Sequence, residues 1–174
     1  GALSDDALLK RIKNTAERSG RVVHIPSGAI VGIDGVTAAS MESLERVLLI
    51  TRKPPKALVR APIGKRFNLS GLKKPKVIFE GSARKAVKAF PTSVNVAATL
   101  SLAGLGFDRT TVRIIADPKL KRNVHEVHLS GHAGDIVTIT KNLQMAEAPG
   151  TSRMAALSTI RLLRNLSEAV RVGA

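Results

Sequence analysis

Residues 111–116 (Thr111-Val112-Arg113-Ile114-Ile115-Ala116), 123–130 (Asn123-Val124-His125-Glu126-Val127-His128-Leu129-Ser130) and 135–142 (Asp135-Ile136-Val137-Thr138-Ile139-Thr140-Lys141-Asn142) are three successive runs rich in branched apolar side chains. The second and third alternate apolar with polar, the period of a strand with one covered face. Turn-forming residues separate them, Asp117-Pro118 after the first and 131–134 after the second. Alternation puts His125, Val127 and Leu129 on one face of the middle strand, and Glu126, His128 and Ser130 on the other. His125 is therefore expected on the covered side of a sheet. His125 and His128 point apart and cannot share one metal ion, and the segment is one residue short of the HExxH zinc pattern. No metal site is expected.

Upstream, the apolar runs 47–52 and 77–79 add two further strands, the first ended by Lys53-Pro54-Pro55. Helices are expected at 27–41, at 83–89, at 95–105, where small apolar residues run unbroken to Gly104, and at 152–170. The last has Ser152 as N-cap and a stripe of Met154, Leu157, Ile160, Leu163 and Leu166. The predicted fold class is α+β: a mixed β-sheet covered on one face by the 27–41, 95–105 and 152–170 helices. Residues 3–18 read as a further helix with acids at its start, and 21–25 as a short buried strand. That helix–strand pair is expected to be the end of an α/β unit, which puts a domain boundary after residue 25. Residues 54–75, with four prolines and two glycines, read as a long irregular connection.

The chain of 174 residues is long enough to bury a sizeable core, and its 44% hydrophobic content argues against disorder. There is no cysteine, so neither a disulfide framework nor a thiolate metal site is available. No apolar run approaches a bilayer span, and a cytoplasmic location is expected. The net charge is +15, concentrated between Arg46 and Lys88, where thirteen basic residues accompany one acid, Glu80. Such an excess suits phosphate groups. With four Phe and neither Trp nor Tyr, however, the chain lacks the stacking platforms of single-strand binders.

The glycine-rich segment Pro26-Ser27-Gly28-Ala29-Ile30, leading to Gly32 and Gly35, would bring backbone N–H groups close to a ligand. No GxGxxG occurs; Gly104-Leu105-Gly106 fails at the third glycine. Asn95 opens its helix, either as a cap or with its amide turned to a ligand. Thr151 and Ser152 sit at a helix N-terminus, which favours a carboxylate. A buried His125 is either a satisfied core histidine or a neutral proton-transfer group.

Four pieces decide between such alternatives: Phe79-Glu80-Gly81-Ser82-Ala83; Phe90-Pro91 leading into Asn95-Val96-Ala97-Ala98-Thr99-Leu100-Ser101; Asn123-Val124-His125-Glu126-Val127; and Pro149-Gly150-Thr151-Ser152 followed by Ala155-Ala156-Leu157-Ser158. In this order they resemble the catalytic domain of the NAD(P)-dependent L-aspartate dehydrogenases, and the resemblance runs from Gly1 to Gly173. It implies that residues 1–25 are a remnant of the nucleotide-binding, Rossmann-type domain, and that 26–174 form a catalytic, substrate-binding and dimerisation domain. It also implies oxidative deamination of L-aspartate to iminoaspartate, then oxaloacetate and ammonia, with NAD or NADP, a reaction that can feed NAD biosynthesis. His125 takes the catalytic position. Ser27, Gly28, Ala29 and Asn95 fall at the cofactor, Thr151, Ser152, Arg52 and Lys53 at the substrate, and a homodimer is expected. One departure stands out: relatives tend to read Asn-Pro-Lys-Thr-Ser where this chain has Ala148-Pro149-Gly150-Thr151-Ser152. Two rival readings are a basic nucleic-acid-binding module, suggested by the charge, and a relative that kept the fold and lost catalysis.

Overall fold

The computed structural model describes residues 1–174 except 60, 62–66, 92–94, 149–150 and 174. Five strands, β1 (Leu44–Lys53), β2 (Lys76–Ser82), β3 (Thr111–Ala116), β4 (Asn123–Gly131) and β5 (Gly134–Asn142), form one sheet of order β2-β3-β1-β4-β5. Only β1 and β3 run parallel; the other pairs are antiparallel. This is the mixed α+β sheet that the alternating runs predict. β1 lies at its centre, hydrogen-bonded on both sides, and is buried over most of its length.

Among the described residues, six α-helices accompany the sheet: α1 (Asp6–Arg18), α2 (Ile33–Ala39), α3 (Ala83–Ala89), α4 (Asn95–Ala103), α5 (Gly106–Arg109) and α6 (Arg153–Asn165). The helix α4 is apolar almost all round and buries Val96, Ala97, Ala98 and Leu100. Its small side chains join Val47, Leu49, Val112, Ile114 and Val127 of the covered sheet face in one core. The other face carries only a small cluster of Leu48, Ile50 and Ile115. Val137 and Ile139 of β5 are more than half exposed there.

Three expectations need correction. Residues 21–25 are not a buried strand: they run without regular structure, with Val22, Val23 and Ile25 exposed. A strand needs a ladder partner, and β2 and β5, the two edges of the sheet, do not pair with this segment. Likewise, α6 is shorter than 152–170 and does not turn its stripe into the core. Met154, Leu157, Ile160, Leu163 and Leu166 are each 41% exposed or more. Only Ala155, near its first turn, packs against the core. The 27–41 helix also shrinks to α2, because Gly28 and Gly32 hold positive φ (+70° and +78°) and keep the preceding segment an irregular loop.

Candidate functional site

The centre of β1 and of β4 supplies the site. The antiparallel register sets Thr51 opposite His125, and period-two alternation brings Lys53 and Asn123 onto the same helix-covered face. All four are buried: Thr51 is fully so, and His125 is 4% exposed. The Thr51 Oγ1 and His125 Nδ1 atoms lie 3.0 Å apart. Burial pushes the His125 imidazole down to about 4, helped by the nearby Lys53 ammonium, so the ring is neutral at pH 7. Burial also lowers Lys53 to about 8, which leaves it mostly charged at neutral pH but readily deprotonated.

A cleft of about 800 Å3 opens over Lys53, Asn123 and His125. One wall is the loop of Ser27, Gly28 and Ala29. It is pinned from both sides: Gly28 N–H donates to Ser158 Oγ (3.1 Å), and Ala29 O accepts from Thr140 Oγ1 (3.0 Å) and Asn142 Nδ2 (2.8 Å). A second wall is the start of α4, with Asn95, Val96 and Thr99. Asn95 Oδ1 accepts from the Gly1 amino group at 3.0 Å. The third is Gln144 with Thr151, Ser152 and Ala155, where the α6 N-terminus enters. Ser152 occupies the N-cap position, yet its hydroxyl makes no cap bond; Ser152 Oγ and Asn123 Oδ1 are buried atoms without a hydrogen-bond partner. Buried polar atoms are seldom left so unless something else pairs with them.

The cleft thus gathers His125, Ser27, Gly28, Ala29, Asn95, Thr151, Ser152 and Lys53 from the sequence-predicted set. Arg52 is not among them. As the neighbour of Lys53 on a strand it points to the opposite face, where its Nε donates to Glu126 Oε1 at 2.9 Å. Its assignment to the substrate is therefore withdrawn. The Pro149-Gly150 departure lies outside the described residues. Sequence reasoning missed Asn123, Thr51 and Gln144. Asn123 was findable, being two residues before His125 on a strand; Thr51 was not, because only the β1–β4 register brings it to the histidine.

Among the described residues, part of the basic excess is already engaged within the fold. Arg84 bonds Asp6, Asp108 and Ser4 O, Lys76 stands over the Phe67 ring, Lys53 is in the cleft, and Arg60, Lys65 and Arg66 lie outside the described residues. A second hollow of about 510 Å3 by Ser40, Glu42, Glu45 and Arg109 lies at the other end of β1, and its charged groups are exposed. Among the described residues, no helix is long and apolar enough to cross a membrane.

Comparison with known proteins places the arrangement. Residues 34–166 match the family model described as aspartate dehydrogenase, C-terminal. The chain is 48% identical to the L-aspartate dehydrogenase of Methanosarcina barkeri and 41% identical to that of Ralstonia pickettii, in each case over 99% of this chain. It spans 65% and 64% of their respective lengths. The crystal structure of aspartate dehydrogenase from Thermotoga maritima superimposes with a TM-score of 0.82 at 33% identity, covering 99% of this chain and 65% of that one. The resemblance first carried by Asn123-Val124-His125-Glu126-Val127 thus extends over sequence and fold alike, and the chain belongs to the aspartate dehydrogenase C-terminal domain family.

Proposed function

We propose that this chain carries the substrate half of an active site that oxidatively deaminates L-aspartate with NAD or NADP. The observation that carries the reading is the meeting of a buried neutral His125, a buried Lys53 and two orphaned polar atoms at one cleft. A dicarboxylate amino acid asks for two anion-binding points and one acceptor for its amine. Lys53 supplies the first point. The α6 N-terminus, with Thr151 and Ser152, supplies the second, where the helix dipole and the unpartnered hydroxyl favour an anion. Asn123 Oδ1, an acceptor only, suits the substrate amino group.

The Ser27-Gly28-Ala29 loop and Asn95 line the same cleft and are assigned to the nicotinamide ring and its carboxamide. A nicotinamide cofactor, when bound, accepts the hydride from the substrate Cα. His125 then serves the reacting nitrogen or oxygen: it stays neutral at working pH, so its cleft-facing nitrogen exchanges a hydrogen bond or proton as iminoaspartate is hydrolysed to oxaloacetate and ammonia. The choice between NAD and NADP rests on groups that read the ribose, and no residue here is assigned that task.

Two surfaces bear on partners. The exposed apolar stripe of α6 is suited to dock a nucleotide-binding domain, the counterpart of the remaining third of the relatives. The open sheet face, with Val137 and Ile139, is suited to a second copy, giving a homodimer. Val137→Lys with Ile139→Lys is expected to shift the full-length protein to monomer in sedimentation; an unchanged dimer would move the interface elsewhere. The activity itself is tested by joining this chain to a nucleotide-binding half and following nicotinamide absorbance with a panel of amino acids. Turnover with L-aspartate well above that with L-glutamate or L-alanine supports the reading, and a preference for a monocarboxylate overturns it.

A further inference from the structure

Thr51 offers the one described contact to the His125 ring, and its own position decides the direction of that contact. Its side chain is fully buried, and Oγ1 has a single hydrogen-bond partner, His125 Nδ1 at 3.0 Å. A buried hydroxyl carries a proton that must find an acceptor. Among the described residues no backbone carbonyl accepts from Thr51 Oγ1, whose one hydrogen-bond contact is to the imidazole. His125 Nδ1 is the acceptor that remains. A neutral imidazole has one donor and one acceptor nitrogen, and the bond made at one fixes the other.

We infer that Thr51 is a positioning residue that donates its hydroxyl proton to His125 Nδ1 and so holds the ring as the Nε2–H tautomer, with a hydrogen-bond donor toward the cleft. This deepens the proposed reaction and rests on it for its catalytic meaning. At rest His125 is set to donate to an oxygen lone pair, such as the carbonyl of the keto acid or the hydroxyl of the carbinolamine, rather than to take a proton from the substrate ammonium. Protonating the ring would force Nδ1 to donate as well, leaving the Thr51 hydroxyl proton buried without an acceptor. Thr51 and Lys53 thus act in the same sense, the first by hydrogen-bond direction and the second by charge. Asn123 and Ser152 leave the ring free of competing bonds: neither is bonded to His125.

The test uses the full-length protein labelled with 15N at histidine. Long-range 15N–1H NMR correlations report which ring nitrogen is protonated, and His125→Gln identifies the signal that belongs to this ring. Wild type and Thr51→Ser are expected to show Nε2–H, and Thr51→Val to lose that preference. In turnover, Thr51→Val is expected to lower kcat about tenfold with KM for aspartate within about twofold, and Thr51→Ser to restore it. A wild-type ring protonated at Nδ1, or a Thr51→Val ring still uniformly Nε2–H, overturns the inference. If Thr51→Val does not fold, the wild-type and Thr51→Ser spectra still decide. Full activity in His125→Gln would instead defeat the proposed function and leave the tautomer assignment standing.

Discussion

Arg52 and Lys53 are adjacent in sequence, both basic, and end up on opposite faces of one strand in opposite physical states. Arg52 lies on the open face, about a third exposed, and is neutralised by Glu126. Lys53 lies on the covered face, buried at the cleft, and its ammonium is strained enough by desolvation to titrate near 8. The same split divides Glu126 and His128 from His125 on β4. The open face pairs its charges where water screens them, at Arg52–Glu126 and Arg113–Glu80. The cleft on the covered face is lined by buried polar groups, of which Asn123 Oδ1 and Ser152 Oγ lack partners. Pairing on an exposed face contributes little to stability and asks for no ligand. Burial without full pairing costs stability, and where such groups line a cleft they are candidates for contact with a ligand.

This contrast can be broken by pH first. His125 titrates near 6.5 when unfolded and near 4 when folded, so below 6.5 the unfolded chain takes up a proton that the fold refuses. Stability contributed by this group is present above pH 6.5 and falls as pH drops toward 4, by up to about 3 kcal/mol. Denaturant midpoints measured across that window are expected to fall steeply in wild type and less in His125→Gln; parallel slopes would place the acid sensitivity elsewhere.

Lys53 makes the mirror-image prediction on the alkaline side. Its folded value near 8 lies below the 10.5 of the free group, so wild-type stability is expected to rise between pH 8 and 10.5 as the fold sheds its buried charge. Lys53→Met flattens that rise and is expected to stabilise the fold at pH 7 by about 1–2 kcal/mol. In the full-length enzyme the same change should lower kcat/KM for aspartate about tenfold or more. A variant that is neither more stable nor less active would remove the distinction between the two faces at this position.

The smallest effect belongs to the open face. Arg52→Ala is expected to cost about 1 kcal/mol or less and to leave aspartate turnover within about twofold. A larger loss of activity would return Arg52 to the substrate site from which its orientation excludes it.

Legibility in the sequence follows the same division. β3 was readable from its branched apolar run and β4 and β5 from alternation, which records the covered face, each to within a residue; His125 was correctly placed on that face by its neighbours Val127 and Leu129. The helix α4 was readable as buried because its residues are apolar on every side. Residues 21–25 misled because a short apolar run carries no information about whether a ladder partner exists. The stripe of α6 was read correctly as apolar and wrongly as core: periodicity shows that a face seeks cover without saying what supplies it. Thr51 stayed hidden because its significance depends on the β1–β4 register across 74 positions, which neither strand encodes alone.

The most direct test of the covered face as the reaction site is the rate of aspartate-dependent NAD or NADP reduction by the full-length enzyme, compared between His125→Ala and Glu126→Ala, neighbours on opposite faces of β4. The account predicts a loss of about a hundredfold or more for His125→Ala and a change of less than about threefold for Glu126→Ala. Turnover by a folded His125→Ala within a few-fold of wild type would contradict it.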